Sequence, residues 1–243
     1  MVEFGGDLEI TYVMGGLARE FGDPTPLVMS WLEDAASSGM PVDPRIWSAD
    51  APRSSYPACI AFRAAAEQGR DAAERYLRAL REGIMCHRRK LDGPEALVEE
   101  ARRAGLDVKR FRIDLESNAI LEGFGADLEE TRALGEVRLP TLRFLADDGG
   151  ERRATGADGY EAWRAAAVAA GATPGSGSPP DVVAALLRFG RMATPELAAV
   201  CDLPGPRAGA EVWRLASEWR VTRVPVLFGE LWEGGAGPAN GGH

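Results

Sequence analysis

A proline interrupts the most strand-like run of this chain. Residues Val137, Arg138, Leu139, Pro140, Thr141, Leu142, Arg143 and Phe144 are followed by an acidic-glycine turn, Asp147-Asp148-Gly149-Gly150, and by a second short polar run. Proline has no N–H to give to a β ladder, so Pro140 is confined to the first residue of a strand, an edge or a bulge. The bond entering it is a candidate for the cis isomer, which would set the preceding carbonyl and amide within reach of a second polypeptide. The fold must therefore keep position 140 out of a central ladder.

The surrounding pattern supplies the rest of a sheet. Residues 8–14 (LEITYVM) are short, apolar and rich in branched and aromatic side chains, and Gly15-Gly16 closes them, which predicts a buried strand. Residues 24–134 are helical in pattern. Helices are expected over 26–37, from Ser54 or Ser55 with Pro57 in the first turn, over 71–85, from the Gly93-Pro94-Glu95 opening to Gly105, over 108–115 and over 119–134, with a proline-rich loop over 41–52. The proline strand over 137–145 then pairs with 151–155 across its turn, and a helix follows over 158–170. The order strand, helical block, hairpin, helix implies an α/β sheet carrying an inserted helical domain.

Residues 173–180 (TPGSGSPP) read as a flexible linker or exposed loop. Beyond them come a helix over 182–189, a helix start at Thr194-Pro195-Glu196, a third helix over 207–219, and a ribbon over 224–232. Three short helices and a ribbon suggest a winged-helix-like module over 181–234, followed by a frayed tail over 235–243. Between Asp181 and Glu233 six arginines face seven acids, and the third helix alternates Arg207, Glu211, Arg214 and Glu218. A DNA reader carries a basic stripe instead, so a packing or partner-docking role is expected.

Composition narrows the function classes. The 243 residues, 45% hydrophobic, suffice for a large core, and the net charge of -9 disfavours a broad footprint on nucleic acid or anionic lipid. No apolar run approaches the roughly 18 residues that span a bilayer, and the first residues lack a signal-peptide layout, so a cytoplasmic protein is expected. Cys59, Cys86 and Cys201 are odd in number, far apart and without Cys-x-x-Cys or metal-ligand spacing, and the histidines are His87 and His243. No metal site and no cofactor are expected.

Two cysteines are candidate thiols. Cys86 precedes His87, Arg88, Arg89 and Lys90, a positive run that would acidify it, although a helix-end cysteine beside solvated bases fits the same residues. Cys59 lies early in a helix, where the N-terminal field would activate it or where it is a small core residue beside Ile60 and Phe62. Trp163, Trp213, Trp219 and Trp232 read as packing residues, and Glu99-Glu100 and Glu129-Glu130 as solvated helix faces.

As an ordered set, the segments LEITYVMGGL (8–17), SSYPACIAFRAAAEQG (54–69), RYLRALREGIM (75–85), GLDVKRFRIDLES (105–117) and VRLPTLRF (137–144) resemble the DsbA family of thioredoxin-fold proteins. The resemblance is to its cytoplasmic branch of FrnE-like oxidoreductases and related protease-adaptor proteins, and it covers about residues 1–172. It implies that Pro140 is the family's cis-proline and that Leu139 and Thr141 form the loop that binds the substrate peptide. Family members begin with a strand carrying Cys-x-x-Cys and a helix, and only then reach the strand matched by residues 8–14. That opening unit is not in this sequence.

Two functions follow from the resemblance. The first is a thiol-disulfide oxidoreductase or isomerase acting on protein or peptide thiols and disulfides, with its Cys-x-x-Cys lost or lying upstream of a truncated start. That dithiol supplies both the attacking thiolate and the resolving thiol. The second is a non-catalytic adaptor that binds a client protein through the cis-proline groove. The missing strand would be central, so the sheet is expected to be N-terminally incomplete and repaired by another internal pairing or by a homodimer.

Overall fold

In the computed structural model, residues 3–135 and 138–235 are described. Val137, at the start of the proline run, and the tail from 236 onward lie outside them. The chain divides into two compact units, one of residues 1–15 and 122–179, the other of residues 16–121 and 180–243. No helix of the described residues is long and apolar enough to cross a membrane.

The first unit is built on a hairpin. Strands β1 (Thr141–Leu145) and β2 (Glu151–Thr155) pair antiparallel, with Thr141 opposite Thr155 and Leu145 opposite Glu151. Gly149 takes φ +84° in the turn, where its N–H donates to the Ala146 carbonyl at 2.9 Å. β1 begins after Pro140, as a residue without an N–H requires. A helix over Gly159–Ala169 packs on both strands, and Trp163 donates its indole N–H to the Thr155 carbonyl at 2.7 Å.

The expected strand over 8–14 does not form. The segment is extended and alternates half-buried and exposed residues, but among the described residues it has no partner strand, and the sheet of this unit has two strands. A strand assignment requires a neighbouring ladder, and among the described residues none is paired with this segment, so the side-chain alternation is seen without it. The expected internal repair of the sheet is likewise not found among the described residues. Residues 173–180 are less free than a linker. Thr173 N–H donates to Asp7 Oδ2 at 2.6 Å and Gly175 N–H to the Glu3 carbonyl at 2.7 Å, while Glu3 pairs with Arg164 and accepts from the Tyr160 hydroxyl.

The second unit holds most of the helices. They are α1 (Thr25–Ser38), α2 (Ile46–Ala49), α3 (Tyr56–Ala66), α4 (Arg70–Met85), α5 (Pro94–Arg103), α6 (Val108–Leu115) and the first turn of α7 (Asn118–Ala133). Their starts follow local chemistry. Asp107 caps α6 by accepting from the N–H groups of Lys109 and Arg110, and Pro94 opens α5 at a position that needs no donor. The small face Ala61, Ala64, Ala65 of α3 is fully buried and lets α4 approach closely. Tyr76 and Phe111, both fully buried, meet edge to face at 5.2 Å, and the Tyr76 hydroxyl donates to the Leu97 carbonyl. Glu100 departs from the expected solvated face. It is 1% exposed and bonded to Arg89, and burial raises its pKa.

The C-terminal elements fall in this same compact unit. In order they are α9 (Val182–Phe189), β3 (Met192–Ala193), α10 (Thr194–Val200), α11 (Gly205–Ser217), β4 (Val221–Pro225) and β5 (Glu230–Gly234), with an antiparallel sheet in the order β3-β5-β4. The helix over Gly159–Ala169 is α8 in this numbering. One sheet face carries Trp232, fully buried among Val182, Leu186, Leu197, Val212 and Leu215. On the other, Ala193 and Leu231 pack with Cys86, Met40, Val224 and Val226. Arg78 of α4 binds Glu82, Glu196 and the Arg191 carbonyl, and Val42 and Phe228 exchange two backbone hydrogen bonds of 3.0 Å. Helix packing and ion pairs therefore take both faces of the small sheet.

Candidate functional site

The proline loop is the best-formed candidate for binding a peptide. The Leu139–Pro140 bond is cis, Leu139 and Pro140 are exposed, and Thr141 is half-buried with its hydroxyl donating to the Arg138 carbonyl at 2.8 Å. Two glycines hold the loop in place. Gly156 donates to the Pro140 carbonyl at 2.8 Å, and a Cβ there would lie 2.8 Å from Pro140 Cδ, so only glycine permits this approach. Gly15 lies against Leu139 and Thr131, where a Cβ would meet side chains at 3.3–3.4 Å. The end of the extended segment is fixed by Asp127, 4% exposed, whose Oδ2 accepts from the Met14 N–H at 3.2 Å.

Asp127 and Gly156 are not legible as site residues in the sequence. The first stands at an ordinary helical position, and the second reads as a loop glycine. A glycine directly after a strand that pairs with a strand-leading proline is the one signal that points to the second.

Several charges around the hairpin are paired. Arg143 reaches Glu130 and Glu151, each at 2.8 Å, and Glu151 is held down at about 2 by hydrogen bonds from Arg143 and Arg153. Asp158 accepts from the backbone N–H and the hydroxyl of Thr155, which lowers its pKa. The loop thus offers exposed apolar side chains and backbone groups, and it carries no acid, base or thiol of its own.

The candidate thiols lie in the other unit. Cys86 is 9% exposed and its Sγ donates to the Pro41 carbonyl at 3.3 Å. Burial pushes its pKa up to about 11, with Glu82 adding to the rise, so the neighbouring positive run does not acidify it. Cys59 is half-buried in the first turn of α3, and Cys201 is buried in the C-terminal elements, where burial raises its pKa. Ser55, ahead of α3, accepts from the Ala18 N–H and does not cap the helix, whereas Ser54 Oγ accepts from the N–H of Tyr56, the first residue of α3, at 3.1 Å.

Of the tryptophans, Trp163 and Trp232 pack and donate as expected, and Trp213 meets Trp232 edge to face at 5.1 Å. Trp219 does not pack. It is 74% exposed at φ +59°. On α11, Arg214 gives its donors to Glu211 and Glu218.

Comparison with known proteins identifies relatives of this arrangement. The chain is 28% identical to the ClpXP adapter protein SpxH of Halalkalibacterium halodurans over 95% of its own length and 80% of the relative's. It is 29% identical to the protein of the same name from Shouchella clausii, covering 84% and 68%, and 28% identical to that of Bacillus subtilis, covering 85% and 71%. These relatives support the non-catalytic adaptor reading over the oxidoreductase one. A family model described as thioredoxin matches residues 5–164, which takes in the extended segment, the helical insertion, the cis-proline loop and the hairpin. The chain belongs to the thioredoxin family.

Proposed function

We propose that the protein is a non-catalytic adaptor of the DsbA-like branch, acting in the cytoplasm to present a client protein to ClpXP. The observation that carries this reading is the exposed Leu139-Pro140 loop leading into β1, whose second edge has no partner strand among the described residues. The relatives named as ClpXP adapters agree with it. Among the described residues β1 is paired on one side only, so an extended client segment can add to its other edge by main-chain hydrogen bonds. Leu139, 45% exposed, Pro140 and Thr141 would contact its side chains.

The C-terminal elements follow a winged-helix-like order, helix, strand, two helices, two strands, and act here as a docked module in place of a nucleic-acid reader. A homodimer built on the same edge would compete with the client.

The reading is tested by adding the purified protein to ClpXP with a client that copurifies with it. Degradation of that client should accelerate, and Leu139→Asp should remove at least 90% of the acceleration while the melting temperature holds. Catalysed reduction of insulin by the same preparation, with no effect on ClpXP, would overturn it.

A further inference from the structure

A second site lies in the helical unit, among residues the adaptor loop does not use. Asp43 is 4% exposed and its N–H donates to the Met85 carbonyl at 2.6 Å, tying the loop before α2 to the end of α4. Arg45 grips its carboxylate with Nε at 2.8 Å and Nη2 at 2.6 Å, and Arg88 Nε lies at 3.3 Å. One buried carboxylate therefore orients two guanidinium groups that are themselves about half exposed. Arg45 Nη1 and both Nη atoms of Arg88 make no hydrogen bond among the described residues.

Both arginines line a cavity of about 400 Å³ that is also lined by Pro225, at the end of β4, and by Val226 and Leu227 of the turn that follows. Leu227 is 54% exposed. Arg88 reaches the cavity from a backbone at φ +53°, a region that non-glycine residues rarely occupy and that recurs at ligand sites. His87 also lines it, but its Nε2 is turned to Arg191 Nη1 at 3.2 Å.

We propose that this cavity binds a peptide carboxylate flanked by an apolar side chain, the carboxylate on Arg45 and Arg88 and the apolar group on Val226 and Leu227. Charge selects the class. Two guanidinium groups and one carboxylate leave a single positive charge, which a monoanion neutralises, whereas a phosphate dianion would leave excess negative charge beside Asp43. The apolar wall adds a requirement that an inorganic anion cannot meet. The free C-terminus of a polypeptide and an Asp or Glu side chain share this chemistry. The site is independent of the ClpXP reading and stands or falls without it.

The test is titration of the isotope-labelled full-length protein with three blocked peptides: acetyl-Ala-Leu-Ala-Leu with a free C-terminus, its amide, and acetyl-Ala-Leu-Glu-amide. The free acid, the Glu peptide or both should shift the amides of Arg45, Arg88, Val226 and Leu227, and which of them does so identifies the carboxylate's source. The neutral amide should not. Arg88→Gly keeps the left-handed backbone available and should weaken binding about tenfold or more, the loss expected for one charge-assisted hydrogen bond. Leu227→Asp, at an exposed position, should weaken it as well. Equal binding of the neutral peptide, unchanged affinity in both variants, or inorganic phosphate binding as tightly as the peptides would overturn the proposal.

Discussion

The two units use their apolar residues differently. In the helical unit Tyr76, Phe111, Ile46, Leu197, Leu215, Leu231 and Trp232 are essentially inaccessible. In the hairpin unit the buried apolar side chains, among the described residues, are Phe4, Phe124, Ala154 and Ala167. No residue of β1 or of segment 8–14 is buried, and Leu139, Leu145 and Val13 are exposed. The hairpin unit thus leaves its strand residues largely uncovered, whereas the helical unit encloses a large apolar core. The large buried core lies in the helical unit, and the exposed strand residues in the hairpin unit.

Core substitutions separate the two units most widely. Phe111→Ala should cost about 3–5 kcal/mol in chemical denaturation, since it removes a fully buried ring and its contact with Tyr76. Arg78→Ala should cost about 1–3 kcal/mol, because Glu82, Glu196 and the Arg191 carbonyl lose a shared donor that is only 32% exposed. Leu145→Ala, at a 67% exposed position of β1, should change stability by no more than about 0.5 kcal/mol. A loss at Leu145 comparable to that at Phe111 would mean that the hairpin unit has a core of its own.

Two further measurements bear on the same difference. Amides of β1 that do not pair with β2 should exchange faster than those of α3 and α4, which are protected to nearly the global limit; client binding should slow the former. The buried thiol gives a pH signature. The Cys86 pKa is raised in the folded state, so its contribution to stability is complete below the unfolded value of about 8.5 and is lost as pH rises toward about 11. Cys86→Ala should therefore flatten the alkaline limb of stability against pH.

Much of the fold is legible in the sequence, for local reasons. The helix starts at Pro94, Asp107 and Thr194-Pro195 carry their own capping or proline chemistry, and the hairpin follows from Pro140 and the Asp-Gly turn. What failed depended on distant partners. Residues 8–14 have strand-like side chains but no partner strand among the described residues, and β3, two residues long, exists only because β5 lies beside it. Glu100 resembles any helical glutamate until Arg89 is brought to it. At the loop, Leu139, Pro140 and Thr141 are readable because proline restricts the backbone by itself. Asp127, and the pairing of Asp43 with both Arg45 and Arg88, arise from contacts that no spacing announces.

On this view the protein works by holding a client and not by thiol chemistry. The decisive measurement is ClpXP-dependent turnover of a copurifying client with the wild-type protein and with the Cys59→Ser/Cys86→Ala/Cys201→Ala variant, after circular dichroism shows that the variant is folded. Equal acceleration by both is expected. Loss of acceleration in the folded variant would mean that a thiol does the work, and the adaptor reading would fall.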